Sequence, residues 1–166
     1  MPHTVLIVDD ERNIQVTLSR AVTLEGWVAE TASGGAEALE KIAALPVDVV
    51  VMDVRMPDLD GLEVLRRARE ARPDLPVVIM SGAGSIETVR QAFKLGAFDY
   101  LEKPITEREK LVAAVRNALE LSRLAAENAE LRREAGAFRM LGKGPAIQAL
   151  LGLVRHHGVK AAHFLH

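Results

Sequence analysis

The chain of 166 residues contains no cysteine. It therefore cannot form a disulfide, a thiolate metal site or a cysteine nucleophile, and it suits a reducing compartment. The chain also lacks an apolar run of the roughly 20 residues that cross a bilayer. The N-terminus has neither the long apolar region nor the cleavage site of a signal peptide. We therefore expect a cytoplasmic protein without a membrane partner.

The chain also has no large excess of positive or negative charge. The 21 Lys and Arg residues nearly balance the 23 Asp and Glu residues, which leaves a formal net charge of −2. Sequence-independent binding of nucleic acid needs a basic surplus, so we expect no direct nucleic-acid contact. The length suits one domain of common size with roughly forty residues to spare.

Five short apolar segments predict β-strands, at residues 5–8, 27–31, 47–52, 77–80 and 98–101. The first, third and fourth are β-branched and nearly continuous, as in parallel strands buried on both faces. The other two follow Gly26 and Gly96, which are typical helix-ending residues. Amphipathic segments of helical length lie between the strands. This alternation predicts an α/β domain over residues 3–120 with a doubly wound parallel sheet.

Charged and polar residues follow the predicted strands. Asp9 and Asp10 come after the first, Asp53 after the third, Ser81 after the fourth and Lys103 after the fifth. In an open parallel sheet these ends meet at one edge, where ligands bind. Gathered carboxylates repel one another and need a cation, and Mg²⁺ prefers such oxygen ligands. With the ammonium and the hydroxyl, the edge suits a transferring phosphoryl group.

Asp53 is the best candidate for a nucleophile, because an ionised carboxylate can form an acyl phosphate without a general base. It stands alone at the end of the most apolar strand, whereas Asp9 and Asp10 form a pair suited to metal binding. The backbone carbonyl of Arg55 is a further candidate ligand. Taken singly, each signal is weak, since Asp-Asp after a strand is often only a turn or helix cap. Their combination carries the prediction.

These residues lie in motifs that closely resemble the receiver domain of bacterial two-component response regulators. The matching segments are LIVDDE at 6–11, VMDVRMP at 51–57, DG at 60–61, MSG at 80–82, GAFDY at 96–100 and LEKP at 101–104. The resemblance implies a flavodoxin-like five-stranded sheet in the order 2-1-3-4-5. It also implies a phosphoacceptor regulatory domain with only self-catalysed phosphoryl transfer and slow autodephosphorylation.

The resemblance assigns roles to individual residues. Asp53 would accept phosphate from a sensor histidine kinase, with Asp10 as the main Mg²⁺ ligand and Asp9 assisting. Lys103 would contact the phosphoryl group together with Ser81. The resemblance also implies a switch pair that consists of Ser81 and Tyr100.

The fifth predicted helix continues into a seam with alternating steps of three and four residues. The seam includes Leu121, Leu124, Asn128 and Leu131. A buried asparagine in such a seam tends to select an in-register dimer. We therefore predict a helical linker at 121–137 that forms a coiled coil, and a homodimer through the fifth helix and this linker. Gly136 breaks the pattern. A solvated amphipathic helix is the alternative.

Residues 127–133 and 141–147 resemble the linker and the opening of the ATPase domain in sigma-54-dependent transcriptional activators of the nitrogen-regulator family. No phosphate-binding loop of the form GxxxxGK[S/T] follows, so we expect no ATPase activity. Residues 138–166 are expected to be the start of a truncated ATPase domain or a disordered tail. The histidines at 156, 157, 163 and 166 lack the spacing of an ordered metal site.

Two other functional classes remain open. A Mg²⁺-dependent aspartyl phosphohydrolase would place a second aspartate two residues after the first, but Arg55 occupies that position. A degenerate receiver-like interaction module would have no need of the acidic residues, the serine and the lysine, all of which are intact.

Overall fold

The computed structural model describes residues 2–82 and 86–141, with side chains as far as Gly136. Contacts divide the chain into two compact units, Met1–Ser122 and Arg123–His166. The elements in chain order are β1 Thr4–Val8, α1 Arg12–Thr23, β2 Val28–Ala32, α2 Gly35–Ala44, β3 Val49–Asp53, α3 Gly61–Ala71, β4 Val77–Ser81, α4 Ile86–Lys94, β5 Asp99–Glu102 and α5 Arg108–Leu141. Strands and helices thus alternate as predicted.

The five strands form one parallel sheet in the order β2-β1-β3-β4-β5. In its register, Val5 pairs with Ala29 on one side and with Val49 on the other. This arrangement confirms the predicted flavodoxin-like architecture, in which ligands bind at the carboxyl ends of the strands.

Alternate residues of each strand point to opposite faces of the sheet, and each face has its own hydrophobic core. Leu6 and Met52 pack with Leu65 of α3 on the face that α2, α3 and α4 cover. Ile7 and Val51 pack on the opposite face, which α1 and the first part of α5 cover. Because helices cover both faces, the carboxyl-end edge is where polar side chains can gather.

The element boundaries differ slightly from the predicted ones. The third strand, predicted at residues 47–52, extends over Val49–Asp53, so that Asp53 is its last residue. Gly26 and Gly96 adopt φ values of 85° and 99°, a conformation that L side chains rarely adopt, shortly before β2 and β5. They therefore end the preceding helices as predicted.

The last helix, α5, continues through Gly136 to Leu141, beyond the predicted linker end. A glycine inside a helix costs only about 1 kcal/mol relative to alanine, so Gly136 can interrupt the seam without ending the helix. In the second unit, Leu124 is 43% exposed. The predictions for residues 142–166 lie outside the described residues. Among the helices that are described, none has the length and hydropathy needed to cross a membrane.

Candidate functional site

The predicted site residues meet at the carboxyl-end edge of the sheet. Asp53 and Ser81 end β3 and β4, while Asp9 and Lys103 directly follow β1 and β5. The parallel register brings these ends together, since Asp53 pairs with Met80 and Ser81 pairs with Glu102. The side chains that were predicted from strand ends therefore lie on neighbouring strands.

Lys103 bridges two buried carboxylates. Its Nζ lies 2.8 Å from Asp9 Oδ2 and 2.9 Å from Asp53 Oδ2. Asp9 is fully buried and Asp53 is 7% exposed. Burial by itself would lower the pKa of Lys103, but the hydrogen bonds to Asp9 and Asp53 outweigh it and raise the pKa above its ordinary value. Lys103 is thus a fixed positive charge between the two acids.

The second oxygen of each buried carboxylate is held by a backbone N–H in the loop that follows. Asp9 Oδ1 accepts a hydrogen bond of 2.9 Å from the N–H of Glu11. Asp53 Oδ1 accepts one of 3.1 Å from the N–H of Arg55. Both carboxylates are therefore oriented before any ligand arrives.

Three carboxylates form a group that could hold a metal ion. Asp9, Asp10 and Asp53 each have one carboxylate oxygen that lies within 4.8 Å of such an oxygen on the other two residues. Asp10 is exposed, while the other two are buried. The single ammonium of Lys103 cannot neutralise three carboxylates, and the excess negative charge suits a divalent cation with oxygen ligands. The donor set therefore fits Mg²⁺.

The loop between β3 and α3 is tied to the start of α2 by Asp58. Its carboxylate accepts hydrogen bonds of 2.9 Å from the N–H of Gly35 and 3.0 Å from that of Ala36. These backbone hydrogen bonds lower the pKa of Asp58. A Cβ at Gly34 would lie only 2.7 Å from Asp58 Oδ1. Small residues at the helix start thus permit the contact that holds this loop.

The same loop ends at Gly61, which packs against the end of β3. Its N–H donates a hydrogen bond of 2.7 Å to the carbonyl of Val54. A Cβ at this position would lie 2.6 Å from the carbonyl oxygen of Asp53 and 2.7 Å from the Cα of Val54. Only a residue without a side chain allows α3 to begin this close to Asp53.

Ser81 and Tyr100, the predicted switch pair, lie on the neighbouring strands β4 and β5. Ser81 is 3% exposed, and Tyr100 is half-buried against the core under α2 to α4. The Tyr100 hydroxyl donates a long hydrogen bond of 3.5 Å to the backbone carbonyl of Ser81. The two residues are thus in contact through the main chain of Ser81.

Sequence reasoning did not identify two polar residues of the site region, Gln15 and Asp58. Gln15 is 3% exposed and donates hydrogen bonds to the Asp9 carbonyl and to Ser33 Oγ. One signal was available, because Gln15 precedes the buried Leu18 and Val22 by three and seven residues and so shares their helix face. For Asp58 no local pattern indicated the contact with α2.

A family model, the response regulator receiver domain, matches residues 5–116 of the chain. The nitrogen assimilation regulatory protein NtrX of Azorhizobium caulinodans is 38% identical over 160 residues, which are 95% of this chain and 35% of that protein. The crystal structure of NtrX from Brucella abortus in complex with ADP superimposes with a TM-score of 0.74 at 36% identity, over 82% of this chain and 30% of that one.

A third similar structure is the beryllofluoride-activated NtrC4 receiver domain dimer. It superimposes with a TM-score of 0.68 at 39% identity and covers 72% of this chain and 98% of that one. The chain spans about a third of the length of the curated relatives it matches. The family match lies on the unit that carries the acidic site, and the chain belongs to the response regulator receiver domain family.

Proposed function

We propose that the chain is a phosphorylation-switched receiver whose acceptor is Asp53 and whose phosphodonor is a sensor histidine kinase. The observation that carries this proposal is the cluster of Asp9, Asp10 and Asp53 beside Lys103, in a chain of the receiver family. In this role the protein is a cytoplasmic regulatory phosphoacceptor, and its only chemistry is self-catalysed phosphoryl transfer and slow autodephosphorylation.

Asp53 would act as the nucleophile. One of its carboxylate oxygens forms a bond to phosphorus while the bond from phosphorus to the donor's histidine nitrogen breaks, and the electron pair stays on that nitrogen. The bond from the Arg55 N–H orients the carboxylate for this attack. A cleft of about 510 Å³, lined by residues that include Val54, Arg55 and Gln91, lies along the loop that follows Asp53. We propose that the donor approaches from this side.

Asp9, Asp10, Asp53 and the Arg55 carbonyl would hold Mg²⁺, which supplies positive charge to the phosphoryl oxygens when it is bound. Lys103 supplies a second positive charge. Its raised pKa keeps it protonated at neutral pH, and it already contacts the acceptor carboxylate at 2.9 Å. After transfer, Lys103 can move from the carboxylate to a phosphoryl oxygen with little displacement.

The new charge on Asp53 would attract the hydroxyl of Ser81. The side chain of Tyr100, whose hydroxyl is hydrogen-bonded to the Ser81 carbonyl, would then rotate from an exposed to a buried position. The face made of α4, β5 and α5 would repack as a result. Phosphorylation would act by shifting two pre-existing states. A shift from mostly off to mostly on needs roughly 5 kcal/mol of differential stabilisation.

The output would be a change in a homodimer formed through α5 and its continuation, which includes Leu121, Leu124, Asn128 and Leu131. The similar NtrC4 receiver is described as a dimer, and Leu124 is exposed on the single chain. We propose that the whole protein is a sigma-54-type transcription activator of the nitrogen-regulator kind, and that this part of it makes no DNA contact.

Incubation with MgCl₂ and acetyl phosphate tests the acceptor. We expect one acid-stable, base-labile phosphoryl adduct on Asp53, located by mass spectrometry, and its loss in Asp53→Asn. Asp74→Asn, a change at an exposed aspartate, is the matched control and should keep the adduct. Rapid multiple turnover of varied phosphate esters would instead identify a phosphohydrolase, and an unmodified wild-type protein would identify a degenerate module.

Light scattering after size-exclusion chromatography tests the dimer. The double variant Leu124→Glu/Leu131→Glu places charges in the seam and should convert the dimer into a monomer. Glu127→Gln, a change at an exposed position between the two leucines, should leave the mass unchanged. A wild-type mass equal to that of the double variant would exclude the seam as the dimer contact.

A further inference from the structure

Gln15 is a buried polar side chain that the mechanism above does not use. It lies in the first turns of α1 and is 3% exposed. Its Nε2 donates a hydrogen bond of 2.7 Å to the backbone carbonyl of Asp9 and one of 3.1 Å to Ser33 Oγ. A buried amide with both donors engaged connects this helix to two loops at the edge of the sheet.

The first of these hydrogen bonds reaches the peptide group that joins Asp9 to Asp10. That group is planar, so a hydrogen bond to its oxygen fixes the direction in which the chain leaves Asp9. The two neighbouring acids have different surroundings: Asp9 is buried against Lys103, whereas Asp10 is exposed. The orientation of the peptide between them sets the direction in which the Asp10 side chain leaves the backbone, and one Asp10 carboxylate oxygen lies within 4.8 Å of an oxygen of Asp53.

Other bonds also hold this turn. The N–H of Asp9 donates to the Ala32 carbonyl at 3.1 Å, and Lys103 bonds to the Asp9 carboxylate. The N–H of Glu11 bonds to Asp9 Oδ1. Glu11, the N-cap of α1, makes no capping bond with its side chain. The Gln15 side chain adds a direct bond from the helix to the carbonyl of Asp9.

The second hydrogen bond extends the same support to the loop after β2. Ser33 accepts from Gln15, and its own N–H donates to the Glu37 carboxylate of α2 at 2.7 Å. The amide of Gln15 therefore lies between two loops that begin at neighbouring strand ends. A displacement of this amide would loosen the Asp9 turn while leaving the hydrophobic core in place.

We propose that Gln15 is a positioning residue for the metal site. Its side chain holds the Asp9–Asp10 peptide so that the Asp10 carboxylate faces Asp53. The inference rests on the proposed function, because it assigns Gln15 to the same magnesium site. Partners that orient metal ligands typically change metal affinity by 10- to 100-fold when they are replaced.

The test compares variants in a MgCl₂ titration followed by backbone amide NMR shifts and by the Mg²⁺-dependent rise in Tm. Gln15→Met keeps the length and apolar stem of the side chain but removes both donors. We expect Gln15→Met to weaken Mg²⁺ binding about tenfold. If this variant folds poorly, Gln15→Leu replaces it, and the same weakening is expected. At saturating MgCl₂ the phosphorylation rate with acetyl phosphate should return to the wild-type value.

Two control variants separate positioning from stability. Leu18→Ala removes a buried side chain of the same helix and should lower Tm without changing the Mg²⁺ dissociation constant. Ser33→Ala removes only the second acceptor and should weaken binding less than Gln15→Met does. Unchanged Mg²⁺ affinity in Gln15→Met, or an equal loss in Leu18→Ala, would overturn the inference alone. A wild-type protein that binds no Mg²⁺ would overturn the proposed function as well.

Discussion

Helices α3 and α4 cover the same face of the sheet and flank the candidate site, yet they are held very differently. α3 follows the strand of Asp53 and buries four residues, Gly61, Val64, Leu65 and Ala68. α4 follows the strand of Ser81 and buries only Ala92. Its Ile86 is 80% exposed and its Phe93 is 41% exposed. Helix α3 is therefore anchored in the core, whereas α4 buries little of its surface against it.

This difference suits a switch. Elements with few buried apolar contacts open and move at lower free-energy cost than those packed into the core. The anchored side carries the carboxylates, the loop fixed by Asp58 and the oriented Asp53. The weakly held side follows Ser81, the residue expected to respond to phosphorylation. Under the proposed function, the ligand-binding geometry and the conformational response therefore belong to different sides of one site.

The largest expected effect is on the free energy of unfolding, and it comes from a direct comparison of the two helices. Leu65→Ala removes a fully buried side chain from α3 and should lower the free energy of unfolding by about 3 to 4 kcal/mol. Ile86→Ala on α4 should change it by less than about 0.5 kcal/mol, because surface substitutions have small effects. Urea denaturation measures both, and equal losses would remove the proposed distinction between the helices.

A smaller effect should come from Lys103, which follows β5 and bonds to carboxylates of the anchored side. Lys103→Met leaves the buried Asp9 and Asp53 without their shared cation. We expect the free energy of unfolding to fall by about 3 kcal/mol in the presence of EDTA, because removing one partner of a buried ion pair leaves uncompensated charge. The loss is at the low end of the usual range because the Lys103 side chain is 16% exposed. MgCl₂ should restore part of this stability. Lys110→Met, at a side chain 70% exposed, is the control; a similar loss there would contradict the explanation.

The smallest effect concerns the Asp58 contact with α2, and it should depend on pH. Since the folded-state pKa of Asp58 is lowered from its ordinary value of 3.8, its contribution to stability is present above that value and is lost as the pH falls through the folded pKa. The difference in Tm between wild type and Asp58→Ala should therefore shrink at the acid end of a series from about pH 7 to about pH 3.

The matched variant for this series is Asp58→Asn, which keeps a carbonyl acceptor but cannot titrate. Its difference in Tm from Asp58→Ala should change little with pH. A wild-type advantage over Asp58→Ala that stays constant down to the most acidic sample would show that the ionised carboxylate does not stabilise the loop.

The sequence predicted the central strands well because their β-branched runs are buried on both faces and need no partner to be recognised. It predicted the convergence of Asp9, Asp53 and Lys103 because parallel strand ends share one edge. Gln15 and Asp58 were missed because their contacts join residues 18 and 23 positions apart. The use of such a polar side chain depends on which loops the fold brings beside it, and no local spacing encodes that.

The close approach at Gly61 limits how this loop can be varied. The atoms that a Cβ would meet are main-chain atoms of residues 53 and 54, which cannot rotate aside as a flexible side chain would. Even alanine would push the end of β3 out of line while altering no charge, no ligand and no proton donor. Randomised libraries of residues 54–62 should therefore hold this glycine constant, and Gly61→Ala offers an uncharged probe of how finely Asp53 must be placed.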